Sequence, residues 1–173
     1  MNASTAAAAG TLRLEVISDS GDWPDLSDLF ERAAAAAWRR VGEGDAEASL
    51  ALMDDASVRR LNREFRGKDS ATDVLSFPAD DSPVPGDDDN MLGDIALAFE
   101  TVSRDSALEN KSFEDHVAHL LVHGILHLMG YDHEHTEDAE EMEDIERSIL
   151  SDLGIGDPYL DRSSRTQELN AHP

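Results

Sequence analysis

Three histidines, His123, His127 and His133, share the run HGILHLMGYDH at the spacing H-x3-H-x5-H. The first two stand four residues apart in an apolar stretch that reads as helix. At about 100° per residue they lie about 40° apart around the axis, one turn above the other. Gly130 then lets the backbone leave the helix, and the turn after it returns His133 toward the same point. Three imidazoles converging from two directions make an open Zn²⁺ site whose fourth position is left for water. A lone histidine on an apolar face is more often a packed core residue. Three at this spacing, with a helix-ending glycine among them, read as metal ligands.

The chain has no cysteine, so the ligand set is imidazole and carboxylate. That set favours zinc, although nickel, copper or iron enter such sites in vitro. Zinc with one open position implies hydrolysis at a polarised centre, by activating water and by drawing charge from a carbonyl or phosphoryl oxygen. Zinc proteases of the H-E-x-x-H type carry their general base directly after the first histidine. Here that position is Gly124, which argues against a protease and lets another element pack closely on the helix.

A second group is Arg66-Gly67-Lys68-Asp69-Ser70-Ala71-Thr72-Asp73, followed by VLSFP. The basic residues leave a helix at a glycine and project from a turn. Arginine's planar fork suits two phosphate oxygens, while an ion pair with a nearby acid is an equally open reading for Arg66 in so acidic a chain. Asp73 either fixes the loop or takes part in proton transfer. Thr72 and Ser76 read as turn supports. His116 and His119 read as cleft-lining, supporting or exposed residues, and His135 as exposed. Tyr131 and Asp132 read as orienting the turn that carries His133.

These groups need a frame. Leu12, Leu14 and Val16 alternate with polar neighbours at the period of a strand. Pro24 opens a helix to about Arg40, with Leu26, Leu29, Phe30, Ala33, Ala37 and Trp38 on its buried face. Ala48 to Met53 reads as a strand. Asp55 reads as the N-cap of a helix over Val58, Leu61, Asn62 and Phe65, with basic residues on its other side. Asp73 to Phe77 forms a third strand, stopped by Pro78. The segment 80–90 holds two prolines, a glycine and five aspartates and reads as an exposed loop. Met91 to Phe99 is a fourth strand, followed by a short helix over Thr101 to Leu108. Ser112-x-x-Asp115 starts the long, central helix that runs to Met129. Thr136 reads as the cap of a last helix stopped by Gly154.

A chain of 173 residues with 40% hydrophobic content supports one domain with a real core. The expected organisation is a disordered segment 1–10, one catalytic domain over 11–160 and a flexible tail over 161–173. The opening MNASTAAAAG does not resemble a signal peptide, and no stretch approaches a membrane span. With the absence of cysteine, this points to the cytoplasm. Net charge is −24, which opposes unassisted binding to nucleic acid. Five of the 14 basic residues, Arg59, Arg60, Arg63, Arg66 and Lys68, nevertheless fall within ten positions. They form a local positive patch on a repelling body. The acidic runs, including eight of the 13 residues from Glu134 to Glu146, read as solvated surface.

HGILHLMGYDH, FRGKDSATDVLSFP, LGDIAL and the late GIGDPYL together resemble the YbeY family of bacterial endoribonucleases and rRNA maturation factors, over about residues 12 to 160. One departure is Ala71, where the family often has proline. The resemblance implies an α+β fold, with a small, mixed, mostly parallel sheet of about four strands and the metal site on a long helix. It implies a single-strand-specific, metal-dependent endoribonuclease acting in 16S rRNA 3′-end maturation and ribosome quality control. It gives His123, His127 and His133 as ligands of one Zn²⁺ ion, and Arg66 and His123 as the residues activity requires. Implied partners are the 16S rRNA precursor and the small ribosomal subunit, with no membrane and no DNA. The general base stays open among a metal-activated water, Asp73 and the RNA 2′-hydroxyl. The alternatives are a ribosome-assembly binding factor with a structural zinc, and a zinc hydrolase of a non-RNA substrate. Because so acidic a protein relies on a small basic patch, its cleavage of naked RNA is expected to be weak and to fall steeply with added salt. Equal rates at low and high ionic strength would contradict this.

Overall fold

The computed structural model describes residues 10–19, 22–79, 90–132 and 135–159. Their core is a four-stranded sheet of β1 (Leu12–Ser18), β2 (Ala46–Met53), β3 (Val74–Pro78) and β4 (Met91–Ala98), in the order β1-β2-β4-β3. β1 pairs with β2 and β2 with β4 in parallel, whereas β3 runs antiparallel to β4. Five helices surround it: α1 (Ser27–Val41), α2 (Asp55–Arg66), α3 (Phe99–Leu108), α4 (Phe113–Leu128) and α5 (Thr136–Asp152). The fold is α+β with a mixed, mostly parallel sheet, as expected. No helix among the described residues is long and apolar enough to cross a membrane.

The two faces of the sheet follow from its period of two. Ile95 and Leu97 of β4 face the main core with Leu50 and Leu52 of β2, under α1, α4 and α5. Ala96 and Ala98 point the other way, to a smaller core with Val58 of α2 and with Leu75 and Phe77 of β3. The histidine helix α4 and the basic helix α2 are therefore held on opposite faces. Val117, Leu121, Val122, Ile125 and Leu126 are fully buried along α4. Each such side chain stabilises the fold by about 1.5–3 kcal/mol relative to exposure. Gly124 is the point of closest approach: a Cβ there would lie 3.1 Å from Ile95 Cδ1 and Cγ2.

Several boundaries differ from the sequence reading. The second expected helix, α2, is capped by Asp54, not Asp55: the Asp54 side chain accepts the Ser57 N–H at 2.9 Å. Asp55 is committed elsewhere, taking the Thr101 N–H at 2.9 Å and its hydroxyl at 2.8 Å. Thr136 is the first residue of α5, and His135 occupies the cap position without a side-chain bond. α1 begins at Ser27, three residues past Pro24, where Asp25 accepts both the N–H and the hydroxyl of Ser27. Phe99 leaves β4 to open α3, because its ring packs edge-on against Trp23 at 5.4 Å and Phe113 at 5.7 Å. Val16 is 41% exposed, since β1 lies at the sheet edge and only its first residues are covered. Phe65 is exposed as well, resting on Phe77 at 6.1 Å. The acidic loop expected over 80–90 lies outside the described residues apart from Asn90, as do residues 1–9 and 160–173.

Replacing Asp54 with alanine is expected to lower the unfolding free energy by about 1 kcal/mol, read from the urea midpoint. An unchanged midpoint would show that Asp54 does not cap α2.

Candidate active site

β3 pairs on one side only, so its outer edge is where the two faces of the sheet meet. A cleft of about 930 Å³ runs along that edge. One wall is Asn62 and Arg66 of α2 with the loop from Lys68 to Asp73; the other is His123 and His127 of α4 with the turn Gly130–Asp132. The two groups singled out in the sequence, on opposite faces of the sheet, thus share one opening.

The histidine wall is ordered by helix geometry. Ser112 caps α4 by accepting the Asp115 N–H at 3.0 Å, and the helix then sets His116, His119, His123 and His127 in one stripe. It ends where expected: Gly130 has φ 99°, and the Tyr131 N–H returns to the Leu126 carbonyl at 3.0 Å. The Nε2 atoms of His123 and His127 face each other at 3.0 Å. His133 lies outside the described residues.

Behind His123 is a residue that the sequence reading left in the solvated acidic run. Glu146 of α5 has no exposed surface. Its Oε2 accepts the His123 Nδ1–H at 2.7 Å and lies 3.5 Å from His119 Nε2, while its Oε1 accepts the Tyr159 hydroxyl. Burial alone would raise this carboxyl, but hydrogen bonds from His119 and His123 outweigh it and hold Glu146 at about 2. The carboxylate fixes the proton of His123 on Nδ1 and turns the Nε2 lone pair toward His127. The only signal for it in the sequence is its spacing: Met142, Glu146 and Ile149 share one face of α5, and all are buried.

A metal ion fits this arrangement. Two nitrogens of tetrahedral zinc stand about 3.3 Å apart at bonds of about 2.0–2.1 Å, close to the 3.0 Å seen. A carboxylate behind one imidazole is the usual partner of a ligating histidine. His119, His123 and Glu146 also bring ligand atoms within 4.8 Å of one another. There, however, His123 Nδ1 and the Tyr159 hydroxyl already bond the two carboxylate oxygens, so this group supports His123 through hydrogen bonds.

On the opposite wall, Gly67 ends α2 in the left-handed region at φ 71°. Asn62, assigned by its spacing to the buried face of α2, is buried and holds the loop that follows, donating from Nδ2 to the Ser70 carbonyl at 2.9 Å. Arg66 donates to the Ser76 carbonyl at 2.5 Å and lies over the Phe77 ring at 5.0 Å. It therefore sits at the cleft without an ion pair among the described residues. The expected basic patch is smaller than its residue count: Asp69 accepts two bonds from Arg59, at 2.8 and 3.1 Å, and lies 3.9 Å from Arg63. Asp73 fixes its loop, accepting the Val74 N–H at 2.7 Å and facing the Thr72 hydroxyl at 3.4 Å. His135 is exposed, as expected.

A family model described as Endoribonuclease YbeY matches residues 18–154. A protein named Endoribonuclease YbeY from Chelativorans sp. (strain BNC1) is 56% identical over 145 residues, covering 81% of this chain and 88% of that protein. Another of that name, from Parvibaculum lavamentivorans, is 47% identical over 157 residues, covering 86% and 85%. The solution structure of TM1509 from Thermotoga maritima aligns with a TM-score of 0.53 at 26% identity, covering 81% of this chain and 91% of that one.

Tyr159→Phe keeps the ring but removes a hydroxyl donor from a buried carboxylate. It is expected to cost about 1.5–3 kcal/mol of stability, measured by denaturant unfolding. A loss below about 0.5 kcal/mol would contradict the role given to this bond.

Proposed function

This chain belongs to the Endoribonuclease YbeY family, and from that premise we propose that His123, His127 and His133 hold one Zn²⁺ ion opposite Arg66 in a cleft that cleaves single-stranded RNA. The protein is a metal-dependent endoribonuclease of rRNA processing. Its substrate in this reading is the 16S rRNA precursor, met on the small ribosomal subunit in the cytoplasm. The observation that carries the proposal is the pair of imidazole Nε2 atoms 3.0 Å apart on the cleft wall facing Arg66.

When bound, the ion supplies Lewis-acid polarisation of a phosphoryl oxygen and lowers the pKa of water. The chain's own residues do the rest. Glu146 keeps the His123 lone pair aimed into the site and excludes the wrong tautomer. His127 adds the second nitrogen from one turn further along α4, and His133 completes the proposed set on its spacing. Arg66 is anchored by the Ser76 carbonyl and the Phe77 ring, which limits its rotamers before substrate arrives. Its guanidinium donates to phosphoryl oxygens as negative charge grows on them in the transition state. Asp73 lines the same cleft and holds the loop before β3 by accepting the Val74 N–H.

The binding-factor alternative is not favoured, since the relatives named here are endoribonucleases. A protease-like reading fails on sterics as well as on residue type. A side chain at position 124 would press on buried Ile95, 3.1 Å from where its Cβ would lie, and so point into the core and away from the cleft.

Arg66→Ala is expected to lower kcat for cleavage of precursor small-subunit RNA in its ribosomal particle by about 10²–10³-fold, with little change in stability. Product end groups are read in the same assay. A 2′,3′-cyclic phosphate identifies the RNA 2′-hydroxyl as nucleophile, and a hydrolytic end identifies water. An Arg66→Ala protein that cleaves at the parent rate would remove Arg66 from the site.

A further inference from the structure

Seven residues before His123 on α4, His116 is 4% exposed, and neither of its ring nitrogens has a hydrogen-bond partner. Buried polar side chains are rarely left unsatisfied in folded proteins, and an imidazole is a metal ligand as readily as a hydrogen-bonding group. One ring nitrogen of His116 and carboxylate oxygens of Asp73 and Asp105 all lie within 4.8 Å of one another. They come from three separate elements: the loop before β3, helix α3 and helix α4. The imidazole bonds neither carboxylate, yet all three groups address a common point.

That spacing is wide for direct hydrogen bonds and suits an ion between the groups. With metal bonds of about 2.0–2.2 Å, neighbouring ligand atoms stand about 3–4 Å apart, so closing on an ion requires only a small movement. Charge points the same way. Burial, and then the neighbouring Asp73, raise the Asp105 carboxyl, and burial pushes the His116 imidazolium toward its neutral form. A neutral imidazole offers a lone pair. Two carboxylates beside it carry the charge that one divalent cation neutralises.

We propose that Asp73, Asp105 and His116 form a second divalent-cation site, separate from the His123–His127 pair, that takes Mn²⁺ or Zn²⁺ and ties the cleft loop to α3 and α4. The mixed donor set selects the ion: imidazole suits transition metals, while magnesium and calcium prefer oxygen alone. Seven helical residues separate His116 from His123 by about 10 Å along the axis. Metals that jointly clamp a phosphate stand about 3.5–4 Å apart, so this ion does not share the reacting phosphate. It acts through position. Asp73 is pinned to the start of β3 by the Val74 N–H and lines the cleft, so an ion on it ties the far end of the loop that begins after Arg66.

The test uses the metal-free full chain. Mn²⁺ is added while the imidazole ¹H–¹⁵N signals are followed by NMR, and Zn²⁺ stoichiometry is measured by equilibrium dialysis for the parent and for Asp105→Asn. The expected result is paramagnetic broadening of the His116 signals in the parent, at Mn²⁺ concentrations at least tenfold below those needed in the variant. The parent also binds one more equivalent of Zn²⁺ than Asp105→Asn, whose near-UV circular dichroism matches the parent's. His116 broadening that has the same Mn²⁺ dependence in parent and variant, or equal zinc stoichiometry in the two proteins, would overturn the proposal. Should Asp105→Asn fold poorly, His116→Gln is measured for zinc stoichiometry in the same way, with the same loss of one equivalent expected.

Discussion

A carboxylate with no exposed surface is stable only where donors replace its lost water, and Glu146 is met by His123, His119 and Tyr159. This buried cluster joins α5, α4 and the segment after α5, three pieces that sequence separates by up to 40 residues. The site depends on it more than on any other contact. Without the bond to Nδ1, the His123 ring is free to take either tautomer, and its Nε2 has no reason to aim at His127. The cost of burying Glu146 is thus tied to the orientation of a functional group. That is a use of a buried charge that stability alone would not favour.

The sheet supplies the other constraint. A strand that pairs on one side leaves an edge, and edges are usually protected. β3 is one of the two edges of this sheet, and helices from opposite faces of the sheet flank it. Arg66 satisfies one of its carbonyls, at Ser76. Placing α2 and α4 on opposite faces lets basic and imidazole groups approach one opening without meeting each other in the core. Gly124 sets the depth of α4 by letting Ile95 touch the helix backbone, and so sets how far the histidine stripe stands above the sheet. His123, His127 and Arg66 are thereby carried on rigid helices.

Much of this was legible in the residues. The apolar period and the Ser112 cap marked α4, and the four-residue step from His123 to His127 marked the paired nitrogens. Alternation of Leu12, Leu14 and Val16 marked β1 as a strand, and the mixed, mostly parallel sheet was implied by the family resemblance. What was not legible depended on partners distant in the chain. Glu146 stands among acids that are solvated; its spacing with Met142 and Ile149 sets it apart from Glu143 and Asp144, but the partners that keep it charged appear only when α5 packs on α4. Asp54 and Asp55 are equivalent as caps by residue type, and the contact from Asp55 to Thr101 decides between them. The basic cluster looked uniform along the chain, but Asp69 engages Arg59 and Arg63 and leaves Arg66 and Lys68 at the cleft. His116 read as a supporting or exposed residue, whereas it is buried, because α3 and the loop before β3 close over the first turns of α4.

The central claim is that Glu146 orients His123 for a metal ion shared with His127. Zn²⁺ affinity of the full chain, measured by competition with a chelator for the parent and for Glu146→Gln, tests it most directly. The account predicts that the variant, with its fold intact by circular dichroism, binds Zn²⁺ about 10–100-fold more weakly. Equal affinity in a folded Glu146→Gln protein would contradict it, and would reduce the buried carboxylate to a packing element unrelated to the site.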